Sequence, residues 1–225
     1  VADIDVEALR NDRMKNSNYF MRREKSNNEI ICTIEPISVP FMYRKIISHP
    51  FVPTQSFENE NLSDVFTIQV HGLIKRLQHT GLNKVVIGVS GGLDSTLAFL
   101  VATKAFDILG IPRENIYGIT MAGFGTTKKS YKNAVTLIQS IGATLKEISI
   151  INSVRQHFMD IEFDENDHSV TFENAQARER MQILMDYANK VGGLVVGTST
   201  LSELALGWTT YNGDHMSMYS VNAGV

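Results

Sequence analysis

The chain has 225 residues, of which 43% are hydrophobic, so it can bury one substantial core. A formal net charge of −3 argues against a nucleic-acid-binding surface, and a single cysteine excludes an internal disulfide and fits a reducing compartment. Because we find no apolar run of roughly 18 residues and no signal-peptide pattern, we expect a cytoplasmic protein that does not enter a membrane.

The N-terminal part, up to about residue 60, differs in character from the rest. An acidic–basic run predicts a helix over 4–13, and an apolar run predicts a strand over 29–37, followed by prolines typical of a linker. Cys32 lies in that predicted strand, where a cysteine is more often a small packed hydrophobe than a reactive thiol. We therefore expect an arm and a linker here.

From Ser63, which we expect to cap a helix, apolar residues recur at helical spacing, and short β-branched runs alternate with helices. The predicted strands are 84–89, 115–121, 144–150 and 193–198, and the predicted helices are 63–77, 95–109, 127–141, 172–191 and 201–206. The acidic stretch before residue 172 is expected to be a solvated loop. The 95–109 helix is expected to bury Leu97, Leu100, Val101, Ala105 and Ile108.

This alternation predicts an α/β fold, a doubly wound, Rossmann-like parallel sheet of about five strands with helices on both faces. Ligands bind such sheets beyond the carboxyl ends of the strands, where the strand order reverses. If the order is 3-2-1-4, Ser90 and Thr198 lie at neighbouring strand ends on the two sides of that crevice.

Six residues between the first of these strands and its helix, Ser90-Gly91-Gly92-Leu93-Asp94-Ser95, form the most informative motif. The glycines let a ligand approach the backbone, the N–H groups at the helix start favour phosphate, and Asp94 offers a carboxylate to a metal. The turn lacks the lysine of a Walker A loop and resembles the PP-loop of the ATP pyrophosphatase superfamily. The alternative is a glycine turn that only connects the strand to the helix.

Two further groups of polar residues accompany this turn. Asn174 and Arg178 are neighbours on one helical face and suit a polar, anionic ligand, unless Arg178 only pairs with Glu173 or Glu179. Glu203 lies in a short helix beyond the last predicted strand, where it could share a metal with Asp94. The following loop places Trp208 near Tyr211 and suits stacking on a flat ring. Simple helix capping at Ser199, Thr200 and Ser202, and a packing role for Trp208, are the alternatives.

Four blocks in order, S-G-G-L-D-S-T, M-A-G-F-G-T-T, E-N-A-Q-A-R and L-S-E-L-A-L-G-W-T-T-Y-N-G-D, resemble the synthetase domain of the glutamine-dependent NAD synthetase family. This family has an adenine nucleotide alpha hydrolase-like fold and amidates deamido-NAD to NAD through an acyl-adenylate, releasing AMP and pyrophosphate. The resemblance implies ATP and Mg²⁺ as requirements, ammonia from glutamine, and a homodimer or higher homo-oligomer.

The resemblance also implies roles for individual residues. ATP would contact Gly88, Val89, Ser90, Gly91, Gly92, Leu93, Asp94, Ser95 and Thr198. Mg²⁺ would be held by Asp94 and Glu203. Deamido-NAD would contact Asn174, Arg178, Glu203, Trp208, Thr209, Thr210 and Tyr211. No residue is assigned as an acid or base.

The chain departs from the family at Ser199-Thr200, which replace a Gly-Asp pair and remove an acidic group near the metal. We expect residues 1–60 to resemble the tail of a missing glutaminase domain, and 61–225 to be a synthetase domain truncated at its C-terminus. Three alternatives stay open: a GMP synthetase-like amidating ligase, a tRNA-modifying PP-loop enzyme, and an ATP-binding fragment without turnover. A tRNA-modifying enzyme should carry a basic or cysteine-rich appendage, which this chain lacks.

Overall fold

The structure is a computed structural model that describes residues 4–16, residue 33 and residues 58–225. The chain divides into two units, Val1–Pro53 and Thr54–Val225. In the first unit, helix α1 (Val6–Lys15) begins after Asp5, whose side chain accepts a hydrogen bond from the backbone N–H of Ala8. The sequence predicted this helix over 4–13, so the observed helix begins and ends two residues later. The predicted strand at 29–37 with Cys32, and the proline-containing linker, lie outside the described residues.

The second unit alternates helices with strands. Its helices are α2 (Glu58–Thr80), α3 (Leu93–Leu109), α4 (Lys128–Ile141), α5 (Ile151–Asp160), α6 (Val170–Val191) and α7 (Leu201–Leu206). Its strands are β1 (Val85–Gly88), β2 (Ile116–Ala122), β3 (Thr144–Ser149), β4 (Leu194–Gly197) and β5 (Tyr219–Ser220). Among the described residues, no helix is both long and apolar enough to cross a bilayer.

The expected N-cap at Ser63 is wrong, because α2 begins at Glu58. Ser63 lies inside the helix, where its carbonyl oxygen accepts the hydroxyl of Thr67 at 2.7 Å. Serine caps a helix only where the preceding backbone leaves the helical conformation. Here the helix continues in both directions, and the apolar stripe that begins at Phe66 marks only its buried part.

The strands form a parallel sheet in the order β3-β2-β1-β4-β5, which confirms the predicted order of the first four strands. Strand β1 is paired on one side with β2, Val85 facing Ile116, and on the other with β4, Val85 facing Leu194. The short strand β5, which the sequence did not predict, adds Tyr219 beside Val196. The order reverses at β1 and β4, because β2 lies on one side of β1 and β4 on the other.

The two faces of the sheet are covered by different helices. On one face, α2, α3 and α4 pack against side chains such as Val85 and Ile87. On the other, α6 packs against Val86, Ile119 and Val195. Val85 and Ile87 of β1 therefore face one side and Val86 the other, because successive side chains of a strand point to opposite faces of the sheet. The predicted α/β fold with helices on both faces is therefore confirmed.

One part of the predicted core is wrong, since Leu100 is 42% exposed and Ile108 is 50% exposed. Helix α3 is held between α2 and the sheet, so its buried surface is wide and centres on Phe99 and Phe106. Small residues between these rings, such as Ala102, let the neighbouring elements approach closely. The outermost apolar positions of the helix therefore face outward.

Helix α5 was not predicted and lies directly after β3. Val154 and Phe158 are buried on its inner face. The ring of Phe158 lies 5.7 Å from that of Phe172 and 5.0 Å from that of Phe163, measured between centroids. Phe124 joins the same cluster, with its ring 5.5 Å from that of Phe172. These contacts pack the segment after β2 and the start of α6 together.

Candidate active site

A cavity of about 520 Å³ opens at the carboxyl ends of β1, β2 and β4. This volume lies in the ordinary range for a small-molecule site. Its wall includes Ser90 after β1, Met121 near the end of β2, and Thr198 after β4. The position is the one expected for a ligand in a doubly wound sheet, at the reversal of strand order. Ser90 and Thr198 follow neighbouring strands, which confirms that prediction.

Hydrogen bonds between neighbouring residues shape the Ser90–Ser95 turn. The Ser95 hydroxyl donates to the carbonyl of Gly92 at 3.2 Å and lies 3.1 Å from the Ser90 hydroxyl. The backbone N–H of Gly92 donates to Ser90 Oγ at 3.2 Å. With one proton on each hydroxyl, the bonds are satisfied when Ser90 donates to Ser95. Both serines therefore fix the form of the turn that precedes α3.

Gly91 has a left-handed backbone, with φ at +83°. A Cβ at this position would overlap the backbone carbonyl oxygen of Ser130 in α4. Glycine is required here for both reasons, since other residues rarely adopt this conformation and none has the space. Ser130 itself lines the cavity and donates its N–H to the Thr127 hydroxyl at 3.1 Å. The turn and the start of α4 therefore form one wall together.

Asp94 and Glu203 both line this cavity, as their predicted metal role requires. Asp94 is exposed there. Glu203 also forms two hydrogen bonds with Thr200. Its Oε2 accepts the N–H of Thr200 at 3.0 Å, and Thr200 Oγ1 accepts the N–H of Glu203. This capping box satisfies two N–H groups at the start of α7. The capping alternative therefore holds for Thr200 and Glu203, and it leaves further carboxylate lone pairs on Glu203.

The donor set fits Mg²⁺ bound together with phosphates. The described residues contain no group of three or more acidic, histidine or cysteine side chains that could hold a metal alone. Mg²⁺ does not require such a group, since it keeps several waters and uses one or two carboxylates with substrate phosphates. Asp94 and Glu203 on one cavity wall meet this requirement.

Sequence reasoning missed Arg180 and Asp214, which also line the cavity. Burial lowers the pKa of the Arg180 guanidinium, and attraction to Asp214 and Glu173 partly opposes this effect. The group keeps its charge at any ordinary pH, because an arginine does not deprotonate in proteins. One feature of the sequence could have drawn attention to Arg180. It lies two positions after the predicted site residue Arg178 on the same helix, so its side chain points to another side of that helix.

Residue Ser199, at the departure from the family pattern, is buried. Its hydroxyl donates to the backbone carbonyl of Asp214 at 3.1 Å. Its own carbonyl lies 3.3 Å from the Ser220 hydroxyl, which donates to it. The serine therefore ties the turn after β4 to the segment that carries Asp214 along the cavity.

The Asn174–Arg178 face and the loop after α7 contact each other within one chain. The Thr210 hydroxyl donates to Asn174 Oδ1 at 2.8 Å, and Arg178 Nε donates to the carbonyl of Tyr211 at 3.1 Å. The alternative pairing of Arg178 with a neighbouring glutamate does not describe this arrangement. Trp208 is 80% exposed and Tyr211 78% exposed, so Trp208 does not pack into the core that the described residues form.

A second cavity, of about 400 Å³, lies on this side of α6 and is lined by Arg178, His157 and Gln182, among others. Helix α6 separates it from the main cavity, which Gln176 and Arg180 line from the same helix. Met181 contributes to both. The predicted residues that line the main cavity are Gly88, Val89, Ser90, Asp94, Ser95, Thr198 and Glu203. Arg178 lines the second cavity. The lining of the two cavities does not include Gly91, Gly92, Leu93, Asn174, Trp208, Thr209, Thr210 or Tyr211.

Comparison with known proteins agrees with this geometry. The model of the NAD synthase family matches residues 65–220. The glutamine-dependent NAD(+) synthetase of Mycobacterium tuberculosis (strain ATCC 25618 / H37Rv) is 41% identical over 238 residues, which cover 100% of this chain and 35% of that protein. The NH(3)-dependent NAD(+) synthetase of Fusobacterium nucleatum is 35% identical over 154 residues, which cover 68% of this chain and 57% of that protein.

Among solved structures, the glutamine-dependent NAD+ synthetase from Acinetobacter baumannii in complex with ADP is similar, with a TM-score of 0.67 and 29% identity. The match covers 72% of this chain and 30% of that one. This chain therefore spans about a third of the length of the glutamine-dependent mycobacterial relatives. Since the family model covers more than half of its residues, the chain belongs to the NAD synthase family.

Proposed function

We propose that this chain is the synthetase part of a glutamine-dependent enzyme that converts deamido-NAD to NAD with ATP. The observation that supports the proposal most strongly is the meeting of the Ser90–Ser95 turn with Thr198 and two carboxylates at one cavity. A GMP synthetase-like ligase would share the phosphate turn. It would have no reason to carry the Asn174–Thr210 and Arg178–Tyr211 contacts beside a second cavity.

ATP would occupy the main cavity with its phosphates at the Ser90–Ser95 turn. The start of α3 places backbone N–H groups and the positive end of the helix dipole at this turn, which favours an anion. Gly91 and Gly92 allow the phosphate oxygens to approach the backbone. Thr198, at the end of the neighbouring strand, would contact the nucleotide, and Arg180 adds a fixed positive charge to the wall.

Mg²⁺ would be held by Asp94 and Glu203, and when bound it would neutralise charge on the phosphates. Asp94 would be the freer ligand, because it is exposed, whereas Glu203 also caps α7. Capping holds Glu203 in one orientation, so one carboxylate of the pair is fixed before ATP binds.

Deamido-NAD would bind along Asn174, Arg178 and the 208–211 loop, with its reacting carboxylate reaching the main cavity near Glu203. A carboxylate oxygen of this substrate attacks the α-phosphorus of ATP and pyrophosphate leaves, giving an acyl-adenylate. Ammonia then attacks the acyl carbon, AMP leaves and a proton is released. The first step replaces an oxide, a very poor leaving group, by AMP, a good one.

Ammonia would come from glutamine hydrolysed elsewhere in a longer protein, since the mycobacterial relatives are glutamine-dependent and about three times as long as this chain. The Fusobacterium relative is NH(3)-dependent, so ammonia would be common to both kinds of enzyme at this site. We also propose a homodimer, because a dinucleotide extending past the main cavity needs added surface, and Trp208 and Tyr211 are exposed where a second copy could supply it.

The test is an assay with ATP, deamido-NAD and ammonium chloride that follows NAD, AMP and pyrophosphate. We expect all three in equal amounts, whereas ADP and inorganic phosphate would contradict an acyl-adenylate. A thermal-shift panel should show a higher melting temperature with ATP and deamido-NAD but not with GTP or XMP, because only ligands of the native state stabilise it.

Two variants test the carboxylates. Asp94→Asn and Glu203→Gln should each weaken Mg²⁺-dependent ATP binding by about tenfold, since each removes one charge near the phosphates. Glutamine can still accept the Thr200 N–H, so Glu203→Gln isolates the charge from the cap. Asp186→Asn, an exposed carboxylate of α6 that lines neither cavity, is the matched control. Parent-like binding by Glu203→Gln would leave Glu203 as a helix cap only.

A further inference from the structure

Asn222 is a fully buried polar side chain, 0% exposed, that no sequence motif singled out. Its Nδ2 group donates to the backbone carbonyl of Asp94 at 2.9 Å and to that of Thr198 at 3.1 Å. Its Oδ1 accepts from Gln69 Nε2, of helix α2, at 3.1 Å. One side chain therefore joins the first turn of α3, the end of β4 and α2.

The chemistry of the partners fixes the orientation of both amides. Asp94 and Thr198 present carbonyl oxygens, which only accept, so the nitrogen of Asn222 must face them. Gln69 Nε2 also donates to the carbonyl of Val221 at 2.9 Å, so its nitrogen must face Asn222 Oδ1. A flipped Asn222 would place three acceptors against one another. The network is fully satisfied in one arrangement only, which makes it a rigid connection.

The two carbonyls that Asn222 joins belong to two neighbouring turns whose residues Asp94 and Thr198 both line the main cavity. Asp94 belongs to the turn proposed for phosphates, and Thr198 belongs to the turn proposed for the nucleotide. The segment around Asn222 is tied to the same place, since Ser220 donates to Ser199 and the Leu201 N–H donates to the Val225 carbonyl at 2.7 Å. Because β1 and β4 end before these turns, strand pairing alone does not set the distance between them.

We propose that Asn222 is a positioning residue that holds the phosphate turn and the Thr198 turn at the separation that ATP requires. This inference rests on the proposed binding of ATP in the main cavity. Asn222 itself does not line that cavity, so it acts through the backbone of Asp94 and Thr198. Removing its two donors takes one hydrogen bond from each of the two carbonyls, and the turns then move apart or admit water.

The test is Asn222→Asp, which keeps the shape and the acceptor for Gln69 but replaces the donor by a second oxygen. We expect the Kd for MgATP, by isothermal titration well below the melting temperature, to rise at least tenfold, since both connections are lost together. A second variant, Gln69→Met, removes the hydrogen bonds of Gln69 to Asn222 and to the Val221 carbonyl and leaves Asn222 in place. It should raise the Kd about threefold, and it carries the test if Asn222→Asp does not fold.

Thr103→Ala is the control for general destabilisation. Thr103 is buried in α3, away from the cavity, and its hydroxyl donates to the Phe99 carbonyl at 2.8 Å. This variant should lower the melting temperature and leave the Kd for MgATP unchanged. A lower melting temperature with a parent-like Kd in the Asn222 and Gln69 variants would overturn the positioning role. No ATP binding by the parent chain would instead refute the proposed function.

Discussion

Replacement of Gly91 by alanine tests the shape of the phosphate turn directly. The new Cβ would overlap the backbone carbonyl oxygen of Ser130, and alanine would have to adopt a φ of +83°. A side chain can rotate away from such a contact, but a carbonyl oxygen in the first turn of α4 can move only with its helix. The turn and the start of α4 must therefore separate.

The loss in the free energy of unfolding that we expect for Gly91→Ala has two parts. The left-handed backbone costs an alanine roughly 1–2 kcal/mol, and forcing an extra carbon into a filled space costs roughly 1–3 kcal/mol more. Gly81→Ala separates the two, because Gly81 also has a left-handed φ, +70°, but has nothing within 4 Å of its Cβ position. We expect Gly91→Ala to lower the free energy of unfolding by roughly 2–5 kcal/mol and Gly81→Ala by roughly 1–2 kcal/mol.

Urea denaturation followed by circular dichroism gives both free energies, and titration with MgATP gives the second readout. Gly91→Ala should also weaken ATP binding at least tenfold, because the displaced Ser130 lines the cavity, whereas Gly81→Ala should bind ATP like the parent. If the two variants lose equal stability, the contact with Ser130 does not constrain the turn. If Gly91→Ala binds ATP normally, the turn does not hold the phosphates.

Two further predictions concern the loop after α7 and a surface ion pair. Trp208→Ala should weaken deamido-NAD binding by roughly 1–3 kcal/mol, the range for a lost stacking partner, and leave ATP binding unchanged; an equal loss for both ligands in calorimetry would contradict separate sites. Hydrogen bonds from Arg113 hold the pKa of the Asp107 carboxyl below its usual range. The pair therefore stabilises the folded protein fully at pH values above the pKa that Asp107 has in the unfolded chain. This contribution is lost as the pH falls through the lower pKa that Asp107 has in the folded protein. Asp107→Asn should therefore lower the melting temperature at pH 7 by roughly 1–3 °C. The difference from the parent should shrink as the pH falls through the lowered pKa of the folded protein. A difference that does not shrink in acid would have another cause.

The elements that the sequence predicted well are those with one clear period. The helically spaced apolar residues of α6 predicted a helix, and the β-branched runs of β1 and β4 predicted strands. Both types are correct, and the predicted bounds agree with the observed ones to within about two residues. Helix α5 was missed, although Ile150, Val154 and Phe158 recur at intervals of four, because the acidic residues that follow dominate the composition of that stretch. In α3, the exposed Leu100 and Ile108 show that hydrophobicity does not identify the buried face when a helix is covered on several sides.

At the candidate site, local motifs located the parts whose proposed role depends on the backbone or on neighbouring positions of one element. The Ser90–Ser95 turn and Thr198 meet at one cavity. This meeting could be predicted, because the alternation of strands and helices allowed the strand order to be inferred. Asn222 could not be found in this way. It lies 128 residues from Asp94 and 153 from Gln69 in the chain, and only the folded structure brings them together. An isolated asparagine near a short strand carries no periodic signal.

Helix α6 supplies side chains to both cavities. Successive residues of a helix differ by about 100° around its axis, so Arg178 and Arg180 point in nearly opposite directions. Arg178 lines the smaller cavity and bonds the Tyr211 carbonyl, whereas Arg180 lines the larger one opposite Asp214. A spacing of two residues thus gives each cavity its own cation. Exchanging either arginine for a neutral residue should affect one ligand more than the other, and a shift of one position in this segment would disturb both sites at once.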